Sequence, residues 1–165
     1  MTRPLGPSII HLRSRLVVVE ARVGAAVARR RAGDPDPDDR FRGLYISDVQ
    51  VDQLLSSAGR PGEVPPQPET AARLAAIEAE ADAAEAAGGD LRLRRLARSF
   101  GLDEYDVELL LIALAPDLDP RFERLYAYLH DDVSRRRAST GLALELSGAA
   151  FGTTLERTHL DPPQA

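Results

Sequence analysis

Apolar residues between Ser8 and Arg31 recur every three or four positions: Ile9, Leu12, Leu16, Val19, Val23 and Val27. They form one face of an amphipathic helix, with Pro7 and Ser8 placed to start it. Val17, Val18 and Val19 alone would suit a strand, but the longer period favours helix. Gly33 and the acidic, proline-containing DPDPDD (34–39) end it. In FRGLYISDVQVDQLL (41–55), Ser47 followed by Gln50 resembles a capping box that opens a short helix carrying Val51, Leu54 and Leu55. Phe41, Leu44, Tyr45 and Ile46 just before it read as a hydrophobic anchor. GRPGEVPPQP (59–68) holds four prolines and two glycines and reads as an exposed linker.

From Thr70 to about Ala87 the chain is nearly all Ala and Glu, a strong helix former with only Leu74 and Ile77 as bulk. Such a helix packs lightly or projects. Gly88 and Gly89 end it, and Asp90 is placed to cap a helix over Leu91–Phe100. Ala97, Gly101 and Val107 then outline a helix-turn-helix, with Gly101 supplying the left-handed backbone of the turn. Asp103 is the N-cap of the second helix and Asp106 its third residue. The run Val107, Leu109, Leu110, Leu111, Ile112 and Leu114 is apolar all round, which predicts a central buried helix stopped by Pro116. Asp119-Pro120 starts another, with Phe122, Leu125, Tyr126 and Leu129 on one face. Ser139 or Thr140 caps a last helix holding Leu142, Leu144 and Leu146. The pattern predicts an all-α helical bundle with a helix-turn-helix core and an N-terminal helical arm. Along the chain this gives an arm and anchor at 1–58, a Pro/Gly linker at 59–69, the helix-turn-helix-like domain at 70–147 and a loose C-terminal tail at 148–165.

The chain is 165 residues with a net charge of −5 and no cysteine, so it has no disulfide framework and no thiolate metal site. Its cations are all Arg. Without Lys it can form neither a phosphate-binding P-loop nor a Schiff base. No stretch is apolar enough to span a membrane, and a cytoplasmic location is expected.

A helix-turn-helix that reads DNA sends its second helix into the major groove, where cations neutralise phosphate. Here that helix opens with Asp103, Glu104, Asp106 and Glu108. The spacing suits DNA and the charge opposes it. Arg92, Arg95 and Arg98 on the helix before, with Arg135, Arg136 and Arg137 in a later loop, are the candidate phosphate contacts of a DNA-binding alternative. Arg94 or Arg95 could instead pair with the carboxylates of the next helix. The acidic pairs Asp117 with Asp119 and Asp131 with Asp132 read as caps and loop residues, and His11, His130 and His159 as surface or helix-end histidines. The residues therefore nominate no catalytic group, cofactor site or metal site. Partner-binding candidates are Leu16, Val19, Val23 and Val27 on the arm, unless that helix packs back on the 90–147 core, together with Tyr128; Tyr126 reads as core.

FRGLYISDVQVDQLL, the helix-turn-helix-like FGLDEYDVELLLIALAPDLDPRFERLYAYLHDDVSRRR and the succeeding STGLALEL together resemble the N-terminal region of a group of bacterial and archaeal AAA+ ATPases. The resemblance spans about 41–147 and is densest at Phe100–Arg137. Those ATPases carry a winged-helix-like helical domain ahead of the motor, and some are encoded with contractile injection systems. The resemblance implies a non-catalytic module that recognises substrates or adaptors, or positions a hexameric ring. ATP and Mg, and oligomerisation, would belong to a downstream ATPase module whose Walker motifs have no counterpart here. The expected partner is a protein or that module, with no role for nucleic acid or membrane.

Overall fold

The computed structural model describes residues 5–32 and 68–148. The expectations at Phe41–Ile46, the Ser47 capping box, residues 59–67 of the linker, His159 and the tail after Gly148 lie outside them; Pro68 and Glu69, expected in the linker, are helical. The described residues form six helices and no strand: α1 (Pro7–Ala32), α2 (Pro68–Ala86), α3 (Arg92–Phe100), α4 (Glu104–Leu118), α5 (Arg121–His130) and α6 (Thr140–Ser147).

The arm is a core element. α1 packs against each of the other five helices, and Val19 and Val23, 2% and 1% exposed, share one cluster with Leu111, Ile112, Phe122, Tyr126 and Leu142. The apolar stripe of the sequence has found its partner within the chain, and removing that area from water is what holds α1 down. α2 runs antiparallel along α1, with Gly89 beside Pro7 and Glu78 beside His11 and Arg15, and buries Ile77 and Ala81. It does not project. Its end requires glycine: a Cβ on Gly89 would sit 2.7 Å from the Ala84 carbonyl oxygen.

Two helix boundaries depart from expectation, each because a distant residue supplies what the local sequence lacks. Asp90 does not cap α3; Leu91 occupies the N-cap without a side-chain bond, and the Ser8 hydroxyl of α1 accepts from the Arg92 N–H at 3.0 Å. Pro116 does not stop α4, which continues to Leu118. Proline has no N–H for the carbonyl four residues earlier. That carbonyl belongs to Ile112, and the Tyr126 hydroxyl, fully buried, donates to it at 2.8 Å. The N-caps of α4 and α6 form as expected. Asp103 and Asp106 make a reciprocal capping box, and Ser139 accepts from the Leu142 N–H. At the head of α5 the N-cap position falls to Pro120, not Asp119, and the Asp119 carboxylate, one residue outside it, accepts from the Arg121 N–H at 2.9 Å.

Replacing Tyr126 by Phe leaves the Ile112 carbonyl without its donor and should cost about 1–3 kcal/mol in urea denaturation. Adding Pro116→Ala returns an N–H to that carbonyl, so Tyr126→Phe/Pro116→Ala should recover part of the loss. A double variant no more stable than the sum of the two single changes would rule out this pairing.

Candidate functional site

The helix-turn-helix is built by α3 and α4 around Gly101, whose φ of +63° provides the turn. Leu93, Ala97 and Leu102 pack on the core, which fixes α3 against the rest of the domain. The head of α4 is where a DNA reader would place its contacts. Two of its four carboxylates are tied to α1, Glu108 from a buried position and Glu104 from an exposed one. Glu104 accepts from both Arg15 terminal nitrogens, at 2.5 and 3.2 Å, and Glu108 lies 2.5 Å from Arg22. Asp103 and Asp106 face out and spend themselves on the capping box.

Arg15 is the hinge of a larger network. Its guanidinium also donates to Glu78 of α2 at 2.7 Å, and Glu78 meets His11 at 3.1 Å and Arg94 of α3 at 2.6 Å. Burial works against the Glu78 charge, but the hydrogen bonds from Arg15, Arg94 and His11 outweigh it and hold the carboxyl down at about 2. Glu108 goes the other way. It is 8% exposed, and burial pushes its carboxyl up to about 7 despite the nearby charges of Arg22 and Arg15. Arg22 additionally donates to the Leu146 and Ser147 carbonyls at 3.2 and 2.8 Å, closing the C-terminal end of α6.

Most of the arginines flanking the motif are paired with carboxylates. Arg94 reaches back to Glu78, Asp82 and Glu85 of α2, not forward to α4, because α2 lies alongside α3's polar face. Arg98 pairs with Glu85 at 2.8 Å and Arg95 with Asp90 at 2.5 Å. In the later loop Arg137 pairs with Asp117 at 2.7 Å, Arg135 with Asp132 at 3.5 Å and Arg136 with Glu123 at 3.9 Å. Of the six candidate phosphate contacts, Arg92 alone has no carboxylate partner among the described residues, and its backbone is tied to Ser8.

The proposed partner stripe on α1 is corrected by the same geometry. Val19 and Val23 are buried, and Leu16 and Val27 are half-buried against the core, so the stripe is not presented to a partner. Tyr128 is half-buried, with the Arg30 guanidinium 5.9 Å from its ring centre. His11, expected at the surface, is buried; His130 sits at a helix end with its ring Nε2 3.1 Å from the Arg137 carbonyl. The sequence held one overlooked signal for the network: His11, Arg15 and Arg22 fall on the same helical face as Val18, Val19 and Ala26. A polar residue on an apolar stripe needs a buried partner.

Among the described residues no group of three or more carboxylates or histidines is arranged to hold a metal ion, and no helix is long and apolar enough to cross a membrane. A family model described as "Winged helix domain, variant" matches residues 5–158. No curated protein and no solved structure matches the chain.

The Glu108 carboxyl makes stability depend on pH. Folded, it keeps its proton to about pH 7, whereas its ordinary value is 4.5. The folded state therefore binds the extra proton between those values, and stability declines as pH rises through that window. The stability of the native chain minus that of Glu108→Gln, from urea melts, should fall by about 2 kcal/mol between pH ~4.5 and pH ~7.5. A difference that is flat or rises with pH would contradict it.

Proposed function

Because the chain belongs to the winged helix domain family in its variant form, we propose that it is a non-catalytic protein-interaction domain and the N-terminal recognition or positioning module of an AAA+ ATPase. Membership of this family is compatible with binding either DNA or protein through a helix-turn-helix. What favours protein is the state of charge on the motif. Glu104 and Glu108 of α4 are fastened by Arg15 and Arg22, Asp103 and Asp106 are engaged in the capping box, and Arg94, Arg95 and Arg98 are paired with carboxylates of α2 and with Asp90. Exposed pairs of this kind are individually weak, at about 0–1 kcal/mol. Their effect here is on potential: a phosphate backbone would have to displace a carboxylate at Arg94, Arg95 and Arg98, three of the four arginines of α3.

The ATPase part of the reading rests on the likeness of residues 41–147 to the N-terminal regions of such motors. On this reading ATP and Mg are bound by the motor, hexamer formation belongs to it too, and the domain works in the cytoplasm. The domain contributes a docking surface, held rigid by α1, at one end of the ring.

Two measurements bear on this. Fluorescence anisotropy of the full chain with a labelled 24-base-pair duplex is expected to give no binding that weakens steeply with salt. A slope of log K against log salt steeper than about −3 would mean at least three phosphates neutralised, and would replace this reading with a DNA-binding regulator. Secondly, the gene is expected to continue after the Ala165 codon into a strand, a glycine-rich turn ending in Gly-Lys-Ser or Gly-Lys-Thr, and a helix. A stop codon there, in a genome where no ATPase subunit binds this chain, would remove the motor from the proposal.

A further inference from the structure

Arg22 stands where three helices meet. From the middle of α1 it reaches Glu108 of α4 and the last two residues of α6. All three contacts fall on one atom. Nη1 lies 2.5 Å from Glu108 Oε1, 2.8 Å from the Ser147 carbonyl oxygen and 3.2 Å from that of Leu146. A guanidinium Nη carries two N–H groups, so three acceptors compete for two donors.

The end of α6 has a stake in that competition. A helix leaves its last four carbonyls without intrahelical partners. Those of Leu144 and Glu145 are met locally, by the Ser147 hydroxyl at 2.9 Å and the Gly148 N–H at 3.3 Å. Those of Leu146 and Ser147 look to Arg22. The rival acceptor is buried. Glu108 faces the charges of Arg22 and Arg15 from α1 and of Glu104 from its own helix. On α6 the charged Glu145 is turned to Arg29 at 3.1 Å, so that helix meets Arg22 through its carbonyls.

We infer that Arg22 is a latch whose hold on the end of α6 is set by the charge on Glu108. When Glu108 is neutral, both Nη1 donors serve the Leu146 and Ser147 carbonyls. When it is ionised, its bond to the guanidinium is charge-assisted and roughly twice as strong as a neutral one. The carboxylate also repels the carbonyl oxygens that share the nitrogen, so the last turn of α6 loosens. Burial places the change near pH 7. By linkage, a lifted α6 end lets water reach Glu108 and favours its ionised form. α6 is the last described helix, and the family match runs on to residue 158. The latch thus sits at the exit of the described core, and it stands independently of what the domain binds.

The test is NMR on the 13C,15N-labelled full chain, taken from pH ~4.5 to pH ~8.5 across the Glu108 titration. The Leu146 and Ser147 carbonyl carbons should shift with the Glu108 carboxyl carbon and share its midpoint. Exchange protection of the Ser147 and Gly148 amides, corrected for intrinsic rates, should fall at least about threefold as Glu108 ionises. Glu108→Gln, close in shape and never charged, should hold the low-pH carbonyl shifts at every pH. Arg22→Gln should lose the protection at every pH and with it the dependence, which keeps the test open if Glu108→Gln does not fold. Carbonyl carbons that stay still while Glu108 titrates would overturn the latch, as would an unchanged profile in Glu108→Gln. So would α6 tightening with rising pH, or protection falling equally in all the helices. A response confined to Ser139–Leu142, where His130 meets the opposite end of α6, would overturn it too.

Discussion

A guanidinium sealed inside the protein is the interaction on which the remaining arrangement depends. Arg15 is nearly fully buried, between Glu78 of α2 and Glu104 of α4. Burial lowers its hold on the proton, but the hydrogen bonds it donates to Glu104 and Glu78 more than restore it. A buried ion pair adds little net stability over a packed apolar side chain, yet it is costly to break. It therefore acts mainly as a register. With Arg15 in place, α2 and α4 can meet α1 at one height only, and Arg22 repeats the device a few residues on by joining Glu108 to the end of α6.

This register explains why the helix-turn-helix is a poor nucleic-acid surface without being a damaged one. In a free motif the carboxylates heading α4 would repel phosphate. In this domain Glu104 and Glu108 have become the attachment points of α1. The same helix that closes the core thus occupies part of the motif's head. What is left outside around the motif is mostly paired charge, with Arg92 the arginine of α3 that meets no carboxylate among the described residues.

The apolar period over 8–31 placed α1 to within a residue at each end, because period depends only on neighbours three and four apart. Gly101, the Asp103–Asp106 capping box and the buried face of α5 were legible for the same reason. What was not legible is every feature completed from afar. Ser8 substitutes for Asp90 as the acceptor at the head of α3 across 84 residues, and Tyr126 substitutes for the missing proline N–H. Val19 and Val23 looked available to a partner because nothing local says that α5 and α6 will cover them. Tyr128 was visible as a contact candidate, but the Arg30 guanidinium over its ring comes from α1, which no periodicity of α5 encodes.

The trans-acting cap at Ser8 also bears on the order of events during folding. α3 is nine residues long, too short to persist by itself in water, and its first N–H finds its acceptor only when α1 arrives. Arg22 must likewise close a separation of 125 residues to reach Ser147. Helical proteins usually fold quickly because their contacts are local. This one is helical in its elements and non-local in its connections, so the entropy of bringing its two ends together precedes most of the reward. A chain that stops short of α6 already offers Arg22 its Glu108 partner on α4 but not the Leu146 and Ser147 carbonyls that complete its bonding.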